Sequence, residues 1–132
     1  MATVRLLTDA ELSPEAEAVF ADIRATRDND YVNDFWRALA NDPKTLQRTW
    51  DALKSVMGPG CLEPKVKEML YLAVSVAHGC DYCIHSHTAA ARARGMTAEE
   101  HGELLAIVGL AAQTNRLVQA LGVPPDAIYR VA

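Results

Sequence analysis

The chain has 132 residues, 50% hydrophobic and 23% charged, which suits one soluble domain with a sizeable core. Its net charge of -4 carries no electrostatic footprint for nucleic acid or an anionic membrane surface. The basic residues are scattered, with Arg92 and Arg94 their only local concentration, so both partner classes are set aside.

The opening stretch MATVRLLTDAEL is interrupted by Thr8, Asp9 and Glu11, which breaks the apolar core that a signal peptide needs. Helical periodicity then takes over, and no convincing period-2 strand is found. Ser13 caps a first helix with Pro14 at its first position and Glu15 and Glu17 in its first turn. Ala16, Val19, Phe20 and Ile23 follow the i, i+3, i+4, i+7 rule, and the polar RDND at 27–30 closes the helix. A second helix is expected from Tyr31 to Ala40, with Val32, Phe35, Trp36 and Leu39 on its apolar positions. A third follows Asp42 as cap and Pro43 as first residue, burying Leu46, Trp50, Leu53 and Met57. Trp36 and Trp50 sit at core spacing and are assigned to packing.

GPGCLEP at 58–64 is a break. Pro64 opens a fourth helix that ends at Gly79. Its apolar residues occupy almost every face, which predicts a central, buried helix. Its longest apolar run, MLYLAVSVA at 69–77, is far short of the roughly 18 residues that span a bilayer. The expectation is a cytoplasmic protein without a membrane segment, whose thiols stay reduced unless chemistry oxidises them. A fifth helix runs from the Cys80–Asp81 region to Gly95. Thr97 and Glu100 then form a capping box ahead of a long apolar-periodic segment to Leu121, one helix or two joined near Gly109 to Thr114. GVPPD ends it, and AIYRVA at 127–132 reads as a docking arm. The fold class is all-α: one domain over residues 1–132, with six or seven helices. The apolar fourth helix and the large aromatics of the second and third call for cover by a homo-oligomer.

The chemistry concentrates in CDYCIHSH at 80–87. On a helical wheel Cys80, Cys83, Ile84, His87 and Ala91 share one face, while Asp81, His85, Thr88 and Arg92 share the polar one. Both thiols lie in the first turn, where free amide protons and the helix dipole favour a thiolate, and His87 stands one turn on. Glu68 shares a face with Leu72, Ser75 and Val76, an apolar setting in which a carboxylate needs a partner. Cys–His–Glu is then a nucleophile, base and orienter. A strictly antiparallel hairpin opposes this, because Glu68 lies roughly 16 Å before Gly79 and His87 only about 9 Å beyond Asp81. The two helices must cross at an angle if Glu68 is to reach His87.

Three readings of the CxxC stay open: a redox pair, a metal site and inert thiols. Cys80, Cys83 and His87 are acceptable zinc ligands, with His78, Cys61 or Glu68 as a fourth. A thioredoxin-type pair is set aside because no βαβ pattern surrounds the motif. His78, His85 and His101 read as a helix end, a polar face and a solvated first turn. Cys61, in the Gly/Pro loop, reads as an incidental thiol.

Glu68, Cys80, Cys83 and His87 together read E-x11-C-x2-C-x3-H. This resembles the core motif of the alkyl hydroperoxidase D (AhpD)-like branch of the carboxymuconolactone decarboxylase superfamily, and the helical pattern from Leu62 to Leu121 is similar too. The resemblance implies an all-helical protein that assembles as a trimer or hexamer and reduces hydroperoxides without a bound cofactor. It implies Cys83 as the peroxidatic thiol, Cys80 as the thiol that resolves its sulfenic acid into a Cys80–Cys83 disulfide, and His87, oriented by Glu68, as the proton relay. The implied partners are a small hydroperoxide and a dithiol reductant. The chain departs from AhpD itself in carrying Tyr82 where that protein has a histidine between the cysteines, and in being shorter. A non-enzymatic zinc-binding or structural helical module, and a lactone decarboxylase-type relative using Glu68 and His87 without redox cycling, are the competing functions.

Overall fold

A computed structural model describes residues 1–130. These contain six α-helices, two short 3-10 turns and no strand. The all-α expectation is met. Two compact units emerge, Met1–Gly58 and Pro59–Ala132.

The first unit holds α1 (Pro14–Arg27), α2 (Asp34–Leu39) and α3 (Pro43–Met57). Ser13 caps α1 by accepting the Ala16 amide, and Asp42 caps α3 by accepting those of Lys44 and Thr45, as the sequence signals require. The predicted stripe Ala16, Val19, Phe20 and Ile23 is buried with Val32, Trp36, Ala40, Leu46 and Trp50. Trp36 and Trp50 meet edge to face, ring centroids 5.5 Å apart. Buried Trp50 keeps its indole N–H satisfied by donating to Asp22 Oδ2 at 2.6 Å, and Lys54 Nζ pairs with the same carboxylate at 2.9 Å. The second helix is shorter than expected: Asn33 is its extended N-cap, Tyr31 and Val32 precede the helix, and Val32 reaches the core from there. Phe35 is 42% exposed while Trp36 is buried, because consecutive helical residues point about 100° apart.

The second unit holds α4 (Pro64–His78), α5 (Asp81–Ala93) and α6 (Ala98–Leu121), with α4 packed against both others. Pro64 stands at the first position of α4, and Gly79 ends it in the left-handed region with φ of 68°, a conformation that a Cβ would oppose. The turn that joins α4 to α5 depends on it. Leu72, Ala91, Met96 and Leu104 form the core, with Met69, Ala73, Val76, Ile84 and Val108 against it. The Thr97–Glu100 capping box is present, and Lys65 Nζ of α4 reaches Glu100 Oε1 at 2.7 Å, tying the start of α6 to α4.

One expectation fails here, and one open alternative is decided. The fourth helix is not covered on all sides: Glu68, Leu72 and Ser75 are its buried residues, whereas Val66, Leu70, Tyr71 and Val74 are exposed. Two neighbouring helices shield only the face they touch. The segment after Thr97 is one continuous 24-residue helix, since Gly109 and Thr114 each cost too little to break it, Thr114 turning its hydroxyl back onto the Ala111 carbonyl at 3.3 Å. By length and composition alone α6 could cross a membrane, with an 18-residue window of mean hydropathy 1.3, although its apolar run LLAIVGLAA at 104–112 is no longer than that of α4. The docking-arm segment begins with an exposed 3-10 turn, Ala127–Tyr129, and its last two residues lie outside the described ones.

Candidate functional site

Cys80 is the N-cap of α5, and its Sγ accepts the Cys83 amide at 3.3 Å. Its carbonyl accepts from Ile84 at 2.8 Å, so the first turn of α5 is closed by backbone and sulfur together. Cys80 and Cys83 are joined in a disulfide, their Cα atoms 5.3 Å apart. Both cysteines are half-buried, in reach of solvent without being displayed to it. Cys61 is a free, exposed thiol.

The wheel assignment of α5 holds except at Thr88, which is half-buried. Ala91 is fully buried and Cys83, Ile84 and His87 are half-buried, while Asp81, His85 and Arg92 are exposed. His85 stays on the polar face, its Nδ1 turned to the Asp81 carbonyl at 2.9 Å. His78 does the same at the end of α4 with the Val74 carbonyl, at 2.9 Å. Ser86 donates to the Cys83 carbonyl at 3.2 Å and is engaged structurally.

Glu68 and His87 meet. His87 Nδ1 donates to Glu68 Oε2 at 2.8 Å, with side-chain exposures of 16% and 10%. A carboxylate acceptor places the hydrogen on Nδ1 and leaves the lone pair on Nε2. The other carboxylate oxygen, Oε1, has Arg94 Nε at 3.8 Å, so the buried charge faces two cationic or hydrogen-bonding groups, as a low-dielectric position requires. The contact meets the condition set by the helix lengths, that α4 and α5 cross at an angle rather than run as a strict antiparallel hairpin. The left-handed Gly79 and the extended Cys80 (ψ of 92°) redirect the chain before α5 begins.

Tyr71 is a site residue that the sequence reading missed. Its ring stacks on the His87 imidazole, centroids 3.7 Å apart and planes 21° from parallel. It lies three positions after Glu68, so helical spacing already puts both on the face that α5 approaches. Apolar residues on almost every face of α4 hid that signal in the sequence. Its backbone carbonyl accepts from the buried Ser75 hydroxyl at 2.8 Å. Arg94 enters the sequence reading only with Arg92, as a local concentration of basic residues. Among the described residues no group of three or more His, Cys, Asp and Glu is arranged to hold a metal ion. Tyr82, between the cysteines, is 45% exposed.

Two chemistries are available to this arrangement: dithiol–disulfide exchange at Cys80 and Cys83, and proton transfer at His87 Nε2 supported from behind by Glu68. The carboxymuconolactone decarboxylase family model matches residues 43–124, from the start of α3 to just beyond α6. A crystal structure of the alkylhydroperoxidase AhpD core from Rhodospirillum rubrum is 62% identical, with a TM-score of 0.96, covering 100% of this chain and 99% of that one. An uncharacterised protein of Cupriavidus necator is 34% identical over 65 residues, which are 49% of this chain and 58% of that relative's length. The match thus spans little more than half of that relative.

Proposed function

The chain belongs to the carboxymuconolactone decarboxylase family, in its AhpD-like branch, and from that premise we propose that it is a thiol-dependent hydroperoxide reductase cycling the Cys80–Cys83 disulfide. The observation that carries this reading is the disulfide at the first turn of α5 combined with a carboxylate-bound histidine one turn later on the same helix face. The similarity to a protein named for alkyl hydroperoxide chemistry supports it.

In the reduced protein His87 Nε2 takes the proton of Cys83, and Glu68 offsets the charge that the imidazole gains. The thiolate attacks the peroxide: a sulfur–oxygen bond forms, the oxygen–oxygen bond breaks, and the leaving alkoxide recovers the proton from His87 to depart as the alcohol. Cys83 is now a sulfenic acid. Cys80 attacks its sulfur, the Cys80–Cys83 bond forms and water leaves. A dithiol reductant then returns two electrons and two protons, becoming a disulfide itself. Amides at the first turn of α5 favour thiolate character at both sulfurs. Tyr82, in place of the histidine of AhpD, leaves His87 as the side chain on this face that handles the proton. Lactone decarboxylation without redox cycling has no use for the paired thiols.

The working unit proposed is a cytoplasmic homo-oligomer, trimer or hexamer, in which the 132 residues act as one domain. Exposed Leu70 and Val74 on α4 and Leu105, Ile107, Leu110, Leu117 and Leu121 on α6 support association, because water penalises such surface. Gln113, Asn115, Arg116 and Gln119 among the latter suit a protein neighbour better than lipid.

The test is peroxide-dependent loss of two thiols with formation of one intramolecular disulfide, followed by turnover with a dithiol. If the wild type consumes no hydroperoxide with any dithiol, the reading is wrong. Stoichiometric zinc, with loss of helicity on chelation, would replace it with a structural metal module.

A further inference from the structure

We propose that Tyr71 is a positioning residue for the proton relay: its ring, laid flat on the His87 imidazole, holds that ring in the plane in which Nε2 addresses Cys83. This rests on the relay reading above and adds to it a residue outside the E-x11-C-x2-C-x3-H pattern.

The argument is geometric. The bond from His87 Nδ1 to Glu68 Oε2 at 2.8 Å restrains one atom in the plane of the ring. It leaves the ring free to swing about that contact, because the imidazole torsion is broad and roughly two-fold. A stack acts at right angles to the bond, and the Tyr71 ring lies 3.7 Å from the imidazole at 21°. One in-plane and one face-on restraint together define the plane. Both come from α4, three residues apart, so they move as one body. Neither restraint uses the Tyr71 hydroxyl.

The stack has a second effect. When Nε2 takes a proton the imidazole becomes cationic, and the π face of an aromatic ring attracts a cation. The imidazole meets Glu68 and Tyr71 from α4, Arg94 lies beyond Glu68, and helical spacing puts Cys83 one turn before it on the same face of α5. On α6 the Glu100 carboxylate is engaged by Lys65. A packing-only role for Tyr71 is a poor fit, since it is 38% exposed and stands outside the buried core set of its unit.

The experiment measures iodoacetamide alkylation of the fully reduced protein, read at Cys83 by fragment mass spectrometry, for wild type, Tyr71→Phe and Tyr71→Leu. Near pH 7 the expected rate for Tyr71→Leu is lower by roughly two- to fivefold, the range that a cation–π contact at a partly exposed site supports. Near pH 10, where solvent base removes the thiol proton, the rates converge. Tyr71→Phe stays within about twofold of wild type at both. Tyr71→Met takes the place of Tyr71→Leu if circular dichroism shows the latter unfolded. Equal rates for wild type and Tyr71→Leu near pH 7 would overturn the proposal, as would a loss in Tyr71→Phe as large as that in Tyr71→Leu. A wild type that consumes no peroxide but shows the expected alkylation pattern sinks the peroxidase reading and upholds Tyr71. A flat alkylation pattern with full peroxide turnover does the reverse.

Discussion

Replacing Glu68 with glutamine isolates what its charge does for His87. The amide keeps the shape and an acceptor oxygen, so the contact to Nδ1 at 2.8 Å survives while the negative charge disappears. Two unit charges about 4 Å apart interact by about 1 kcal/mol in water and about 4 kcal/mol at an effective dielectric of 20. Side-chain exposures of 16% for His87 and 10% for Glu68 put the pair nearer the second figure. Arg94 Nε, at 3.8 Å from the other oxygen, draws on the same charge and lowers the share left for His87. A charge-assisted hydrogen bond contributes about 1.5–3 kcal/mol, inside those bounds. If the imidazolium exists in the transition state for thiol deprotonation, that energy is lost there and not in peroxide binding. The expected result is a fall in kcat/KM of roughly 10- to 150-fold, carried by kcat with KM little changed. The assay is dithiol-driven peroxide consumption at saturating reductant, beside a thermal melt to show that the variant is folded. A folded Glu68→Gln protein within about twofold of wild type would refute the charge argument and leave Glu68 a structural partner of His87.

Other outcomes follow from the same geometry. Cys83→Ser should abolish peroxide turnover, and Cys80→Ser should largely abolish it while letting a sulfenic acid accumulate at Cys83, detectable by a sulfenate-trapping reagent; full turnover in Cys80→Ser would reassign the resolving thiol. Leu72→Ala, at a site with 0% exposure, should cost about 2–5 kcal/mol in denaturant unfolding, and a loss below about 1 kcal/mol would mean that the second unit does not depend on this core. The hydrogen bond from Lys65 holds the Glu100 carboxyl below its ordinary value of 4.5, helped by the Thr97 amide. A depressed folded value means stability that is present above pH 4.5 and is lost as pH falls through the depressed value. Glu100→Gln should therefore flatten the decline of the thermal midpoint below pH 4.5, and an unchanged decline counts against this pair. Light scattering should give a multiple of the chain mass, and a monomeric mass would remove the proposed oligomer.

Much of this protein was legible in its sequence because helices announce themselves locally. Ser13 with Pro14, Asp42 with Pro43, and Thr97 with Glu100 marked helix starts that the structure keeps, since a cap satisfies amides within its own first turn. Wheel geometry separated His87 from His85 and put Glu68 on the face of α4 that is buried with Leu72 and Ser75, because helical spacing is a property of consecutive residues alone. Spacing also grouped Cys80, Cys83 and His87, and the family resemblance joined Glu68 to them. What spacing does not contain is the direction in which one helix leaves another. That Glu68 reaches His87 across two helices, that Tyr71 lies on the imidazole and that Arg94 faces the same carboxylate follow from the turn at Gly79 and Cys80 and from the packing of α4 on α5. The apolar residues of α4 illustrate the same division. Their composition foretold a helix that seeks cover, but the exposure of Val66, Leu70 and Val74 emerged only once the tertiary structure showed how few neighbours one chain supplies.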